Sequence, residues 1–284
     1  MSSLKTQTLS GLIWGFAEKF SVQVVQFVLT IFLARLLSPS EYGLIAMLTI
    51  FIAISQVFID SGFSSALIQS QEKKDEDFNT VFIINLSISV LCYILLFVSA
   101  PYIAQFYSQP LLCSILRIYS LNMVLNALVA VHKTKLVIKV DFKTQSKISF
   151  IAVLLSGIIG IVCALNGLKV WSLVIQTLSL GILNVVLYNY FVKWFPNFTF
   201  SKESFRRLFS FGSKLLMASL IGTIYNNIYS LVIGKKFPPE YLGNYSRGHQ
   251  FSYFITDNIS GILQKVTFPI LSQIQNSDEQ LLVF

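Results

Sequence analysis

Between Asp77 and Arg117 the chain carries no charged side chain, and the run is too long for one helix crossing a bilayer. A span needs about 20 predominantly apolar residues to cross the hydrocarbon layer. Pro101 and Pro110 bracket a turn inside the run, so it reads as a hairpin of two membrane helices. Stretches of the same kind recur along the chain. The eight expected spans are Gly11 to Leu33, Gly43 to Ile68, Thr80 to Ala100, Leu111 to Val131, Ile148 to Leu165, Val170 to Val192, Leu208 to Ile233 and Phe251 to Leu271. With 54% apolar and 12% charged residues in 284, a soluble globule is excluded, and an aromatic share of 14% excludes disorder. The expected fold class is an all-α polytopic membrane protein with about eight transmembrane helices. The first span is no cleavable signal peptide, because Glu18 and Lys19 interrupt the place where a continuous apolar core should stand.

The net charge of +8 reflects topology rather than nucleic acid as a partner. Lys5, Lys73, Lys74, Lys133 to Lys147, Lys193, Lys202, Arg206, Arg207 and Lys214 fall on one side of the expected spans. Arg35, Lys169, Lys235, Lys236 and Arg247 fall on the other. By the positive-inside rule the N-terminus and the Lys133 to Lys147 loop are cytoplasmic, and Pro39 and Pro239 face outward. The run from Glu72 to Asp77 then reads as a solvated cytoplasmic connector. Cys92, Cys113 and Cys163 are odd in number and scattered within or beside apolar runs, which suggests packing rather than a disulfide framework or a zinc site.

At an offset of 200 residues the chain matches itself. Ser10 meets Ser210, Gln26 meets Asn226, Thr30 meets Ser230, Ala34 meets Gly234, Arg35 meets Lys235, Pro39 meets Pro239 and Gly43 meets Gly243. Six expected spans separate the copies, an even number, so the seventh enters the membrane in the direction of the first. That is a parallel repeat, the kind found in transporters built from two lobes. Residues 1–200 are therefore expected to form an N-terminal six-helix transmembrane lobe, and 201–284 the first two helices of a second, incomplete lobe.

The stretches Leu33-Ala-Arg-Leu-Leu-Ser-Pro-Ser-Glu-Tyr-Gly-Leu-Ile-Ala-Met47, Phe58-Ile-Asp-Ser-Gly-Phe-Ser-Ser-Ala-Leu-Ile-Gln69, Val170-Trp-Ser-Leu-Val174, Ile233-Gly-Lys-Lys236 and Leu242-Gly-Asn-Tyr245 resemble bacterial polysaccharide exporters. These are flippases for lipid-linked O-antigen, capsule or colanic-acid repeat units, within the multidrug/oligosaccharidyl-lipid/polysaccharide exporter superfamily. The resemblance implies flipping of undecaprenyl-diphosphate-linked oligosaccharide across the bacterial inner membrane. It implies membrane lipids and a polysaccharide polymerase or glycosyltransferase as partners. The chain departs from the family by lacking most of the second lobe, so alone it is expected to insert but not to flip its substrate.

Charges in hydrocarbon cost about 2.5–3.5 kcal/mol each on insertion scales, so ionisable groups there usually face a cavity or a partner. Gly15, Lys19, Gln23, Gln26 and Thr30 share one face of the first span, and Thr49, Ala53, Gln56, Asp60 and Ser64 one face of the second. The seventh carries Ser219, Thr223, Asn226 and Ser230, and the eighth Asp257, Gly261 and Lys265. One reading is a water-filled groove suited to sugar hydroxyls and an anionic diphosphate, with Lys19, Gln23, Gln26, Arg117, Asn226 and Lys265 binding substrate. Glu18, Asp60 and Asp257 then pair with those cations or couple transport to a proton or sodium gradient. The other reading is interhelical hydrogen bonding. Trp14, Trp171, Trp194, Tyr188 and Tyr190 sit near expected helix ends, where aromatic belts meet the lipid interface.

No catalytic constellation is visible. His132 and His249 stand alone, as loop or interface residues without metal-ligand spacing, and no Gly-rich phosphate loop is present, so neither an enzyme nor a resident cofactor is expected. Within transporters the rival is a cation-coupled multidrug exporter of the same superfamily; a nonfunctional fragment or an assembly partner is a further alternative.

Overall fold

The computed structural model describes residues 22–250, except 61, 71–73 and 198 and the side chains of 210 and 211. Among the described residues the secondary structure is helical throughout: α1 (Val22–Leu36), α2 (Pro39–Asp60), α3 (Phe63–Gln69), α4 (Asp75–Phe106), α5 (Leu111–Tyr119), α6 (Leu121–Ile138), α7 (Phe142–Leu165), α8 (Val170–Val192), α9 (Lys202–Lys236) and α10 (residues 239–250). Among the described residues six stretches are long and apolar enough to cross a membrane: Pro39–Gln69, Asp75–Phe106, Leu111–Ile138, Phe142–Leu165, Val170–Val192 and Gly212–Lys236. They correspond to expected spans two to seven. The described part of the first span is the shorter apolar α1, and the eighth, Phe251 to Leu271, lies outside the described residues. The chain is an all-α multi-pass membrane protein.

Short polar residues set the helix starts. The Ser38 N–H donates to Glu41 Oε2 at 2.7 Å ahead of α2, and the Lys74 N–H to Asp77 Oδ2 at 3.0 Å ahead of α4. Asp141 accepts from the Thr144 N–H at 3.1 Å, and Ser201 from the Ser204 N–H at 3.3 Å, opening α7 and α9. Each bond satisfies a donor that the first helical turn leaves without an intrahelical partner.

Pro101 does not end a helix. The turn lies after Phe106, and α4 runs through the proline. A proline inside a helix removes the N–H that would bond the carbonyl four residues earlier, here Phe97. Arg117 supplies the missing donor: its Nε–H bonds the Phe97 carbonyl at 3.3 Å while the guanidinium lies 4.4 Å from the centre of the Phe97 ring. In hydrocarbon every backbone polar group needs a partner from within the protein, and α5 provides one at the point where α4 loses its own.

The second span is broken at Gly62, which has φ +69°. A Cβ there would stand 2.7 Å from both the Cα and the carbonyl oxygen of Gly212 in α9. Gly62→Ala is therefore expected to lower stability by at least about 1–2 kcal/mol, the penalty of a left-handed L-residue before the overlap is added. Thermal unfolding of the purified chain in detergent checks this, with Gly222→Ala as the reference, since nothing stands within 4 Å of a Cβ at Gly222.

The largest core joins Met47, Leu48 and Ile59 of α2 to Leu96 and Ala100 of α4, Leu112 to Leu116 of α5, Met123 of α6 and Val174 of α8. A second gathers Phe63 and Leu67 of α3 with Val81 and Phe82 of α4, Val131 of α6 and Leu208 of α9. Leu33 and Leu37 close α1 and the turn after it onto Ala164 and Leu173. Tyr188 is fully buried with Val129, Leu136 and Ile148. It is a core residue, unlike the exposed Tyr190 two positions on, because a half-turn of helix separates the inner face from the lipid-facing one. All three cysteines are free, with Cys92 in the largest core.

Candidate functional site

The described members of the expected polar faces lie on α1, α2 and α9; Gly15 and Lys19 lie outside the described residues. Gln26 and Asn226, equivalent in the repeat, are both exposed, and neither has a hydrogen-bond partner among the described residues; Gln23 is half-buried. Asn227 turns the other way, its amide donating to the Thr223 carbonyl at 2.8 Å. On α2, Asp60 accepts a bond from Gln56 Nε2 at 3.3 Å and lies within electrostatic reach of Lys133 on α6. Arg117 is engaged with Phe97 and not with these faces. Glu18, Lys19, Asp257 and Lys265 lie outside the described residues. Among the described residues no group of three or more His, Cys, Asp and Glu could hold a metal ion.

Between Gly212 and Gly234, which are both buried, the residues of α9 are exposed or half-buried where the helix packs alongside α2. Its two ends are fastened to the rest of the chain. At one end Arg207 Nη2 donates to both carboxylate oxygens of Asp77 at 2.7 Å, and Asp77 is 0% exposed. The neighbouring residues of α4 hold the segment leading into α9. The Asn79 amide donates to Thr199 Oγ1 at 3.2 Å and accepts from the Asn197 N–H at 3.1 Å, and Thr80 Oγ1 accepts from the Ser201 N–H at 3.0 Å. Phe63 packs on Phe205 and Phe209, and His132 meets the Trp194 carbonyl through Nε2 at 3.0 Å. Lys135 lies 4.4 Å from the centre of the Phe78 ring and 4.5 Å from that of Trp194.

Two expectations are corrected here. Asp77 is no part of a solvated connector; it is the buried anion of an ion pair. His132 is neither a loop nor an interface residue but is buried in α6, tying down the segment after α8. The three acids Asp75, Glu76 and Asp77 in the first turn of α4 are a visible helix-start signal. Nothing in that signal points to a partner 130 residues away.

At the other end, α2 and α10 cross. A Cβ on Gly43 would collide with the Pro239 carbonyl oxygen, and a Cβ on Gly243 with that of Pro39. A Cβ on Gly234 would meet Tyr107, Leu242 and Met47 at 3.0–3.2 Å. Lys235 donates to the Phe106 carbonyl and caps its ring at 4.3 Å, and the Arg247 guanidinium stands 3.5 Å from the centre of the Tyr42 ring. Burial pushes the Tyr107 hydroxyl up to about 12, and its ring packs edge-on against Phe51 and Phe106.

Residues 32–283 match the family described as polysaccharide biosynthesis protein. The chain belongs to that family. Among its relatives, the teichuronic acid biosynthesis protein TuaB of Bacillus subtilis (strain 168) is 29% identical over 277 residues, covering 96% of this chain and 57% of TuaB. The succinoglycan biosynthesis transport protein ExoT of Rhizobium meliloti (strain 1021) is 26% identical, covering 94% of this chain and 54% of ExoT. The lipopolysaccharide biosynthesis protein WzxC of Escherichia coli (strain K12) is 23% identical, covering 99% of this chain and 58% of WzxC. The chain thus spans a little over half the length of these relatives. Its fold is like that of the MATE multidrug transporter DinF-BH, with a TM-score of 0.56 and 13% identity over 96% of this chain and 66% of that one.

Proposed function

We propose that the protein takes part in moving undecaprenyl-diphosphate-linked oligosaccharide or polysaccharide repeat units across the bacterial inner membrane, with its N-terminus in the cytoplasm. The observation that carries this reading is family membership over residues 32–283, joined by relatives whose names place them in the biosynthesis of teichuronic acid, succinoglycan and lipopolysaccharide. The exposed amides of Gln26 and Asn226 support it. In a membrane such groups need a polar counterpart, and sugar hydroxyls, which both donate and accept, are suitable ones. Residues 1–200 act as one lobe and residues from 201 onward belong to a second. Movement between them is driven by a proton or sodium gradient, with Asp60, bonded by Gln56 and within electrostatic reach of Lys133, as a candidate group to exchange an ion. The protein acts as a transporter and not as an enzyme, and it works beside a polymerase or glycosyltransferase that consumes the exported unit.

Binding to the chain in nanodiscs tests this. Fluorescent undecaprenyl-diphosphate oligosaccharide is expected to bind and to resist competition by a cationic rhodamine dye. The double substitution Gln26→Ala/Asn226→Ala should weaken binding about tenfold, the loss of roughly one good hydrogen bond. Preference for the dye would favour the multidrug reading suggested by the likeness to DinF-BH, and absence of binding to either would overturn transport by this chain.

A further inference from the structure

We infer that Gly43 and Gly243 form a symmetric clasp that closes the end of the molecule where Pro39 and Pro239 lie, and that this clasp is the contact broken when the site opens to that side. Its purpose rests on the transport reading above; its geometry does not. The two glycines are equivalent at the offset of 200 residues, as are the two prolines. Each glycine packs against the carbonyl of the proline from the other copy, and a Cβ on Gly243 would also stand 3.1 Å from the Gly43 nitrogen. The contact is therefore reciprocal, as a contact across a two-fold axis must be: what one copy offers, the other accepts.

Only hydrogen fits at either position, so the backbones of α2 and α10 touch directly, as small residues allow when membrane helices pack. The forces in such a contact are dispersion and Cα–H···O interactions, individually weak. Separating the helices also lifts the half-buried Arg247 guanidinium off the Tyr42 ring, but it leaves no fully buried charge behind, in contrast to the other end, where parting Asp77 from Arg207 would. A closure that must be broken and remade is best made of weak contacts. One turn deeper along α2 Met47, 1% exposed, packs onto Gly234.

The test uses the chain with Cys92, Cys113 and Cys163 replaced by serine and Met47→Cys introduced, in sealed vesicles of known orientation. A membrane-impermeant maleimide is expected to label the thiol introduced at position 47 slowly. Adding Gly43→Ala or Gly243→Ala should raise the rate at least tenfold from the outward side, whereas Gly222→Ala and Gly248→Ala, where a Cβ enters open space, should leave it unchanged. Equal labelling in all four backgrounds overturns the clasp. Should the alanine variants fail to insert, a second measurement keeps both glycines: Pro39→Cys with Pro239→Cys, treated with a short bifunctional thiosulfonate and read by mass spectrometry. A cross-linked peptide pair supports the clasp, and its absence overturns it. A clasp that opens on alanine substitution in a chain that binds no lipid-linked oligosaccharide would uphold the clasp and remove the transport reading, so the two fail separately.

Discussion

Replacing Arg207 by alanine is expected to cost about 3–5 kcal/mol, because it leaves the Asp77 carboxylate charged, fully buried and without its cation. The opposite change should cost less. Arg207 is 39% exposed, so in Asp77→Asn its guanidinium can turn toward water, while the new amide still accepts from the Lys74 N–H. The double variant Asp77→Asn/Arg207→Gln removes both charges and should recover most of the loss. Thermal unfolding in detergent gives the ordering, and limited proteolysis across residues 193–201 gives its location, since Asn197, Thr199 and Ser201 hang on the same turn of α4 through Asn79 and Thr80. If Arg207→Ala is no worse than Asp77→Asn, the burial of Asp77 is not what makes this pair important.

The second large effect concerns Arg117. Its removal leaves the Phe97 carbonyl without a donor inside the membrane, a loss of about 1–3 kcal/mol. Pro101→Ala restores a backbone N–H four residues after Phe97, and in that background Arg117→Ala should become nearly silent. The coupling between the two substitutions is expected to be at least about 1 kcal/mol, within the range for residues that share one partner. The same cycle separates two roles for the cation. A guanidinium that braces α4 is rescued by Pro101→Ala in both stability and lipid-linked oligosaccharide binding. One that holds a diphosphate is not rescued in binding, because the alanine supplies no charge.

Hydropathy makes the spans legible, since about 20 apolar residues have few uses other than crossing a bilayer. The repeat is legible because a turn with a glycine beyond it tolerates little substitution. The lesson of Pro101 runs the other way. A proline between two spans is a sound turn signal, yet α4 absorbs it, and the reason sits sixteen positions later in Arg117, beyond any local pattern. Asp77 and His132 show the same limit. Each has an ordinary local setting, a helix start and a helix end, and acquires its role only when α9 and the segment after α8 return against it. Tyr188 departs from its expected place because an aromatic near a helix end suits a lipid interface or a core equally well, and only the facing helices decide. Helical spacing brings out Gln26 and Asn226, but it identifies a shared face and not what that face meets.

The arrangement of α9 has a mechanical consequence. At 35 residues it is about 52 Å long, free of proline, anchored by Arg207 near its start and by Gly234 and Lys235 near its finish, and only half-buried between them where it runs against α2. It is a beam held at both ends. A tilt imposed at one anchor must appear at the other, because a hydrogen-bonded helix is far stiffer along its axis than the side-chain contacts that pin it. Release of one anchor therefore changes the load on the other, and the spacing between them serves as the ruler against which both are set.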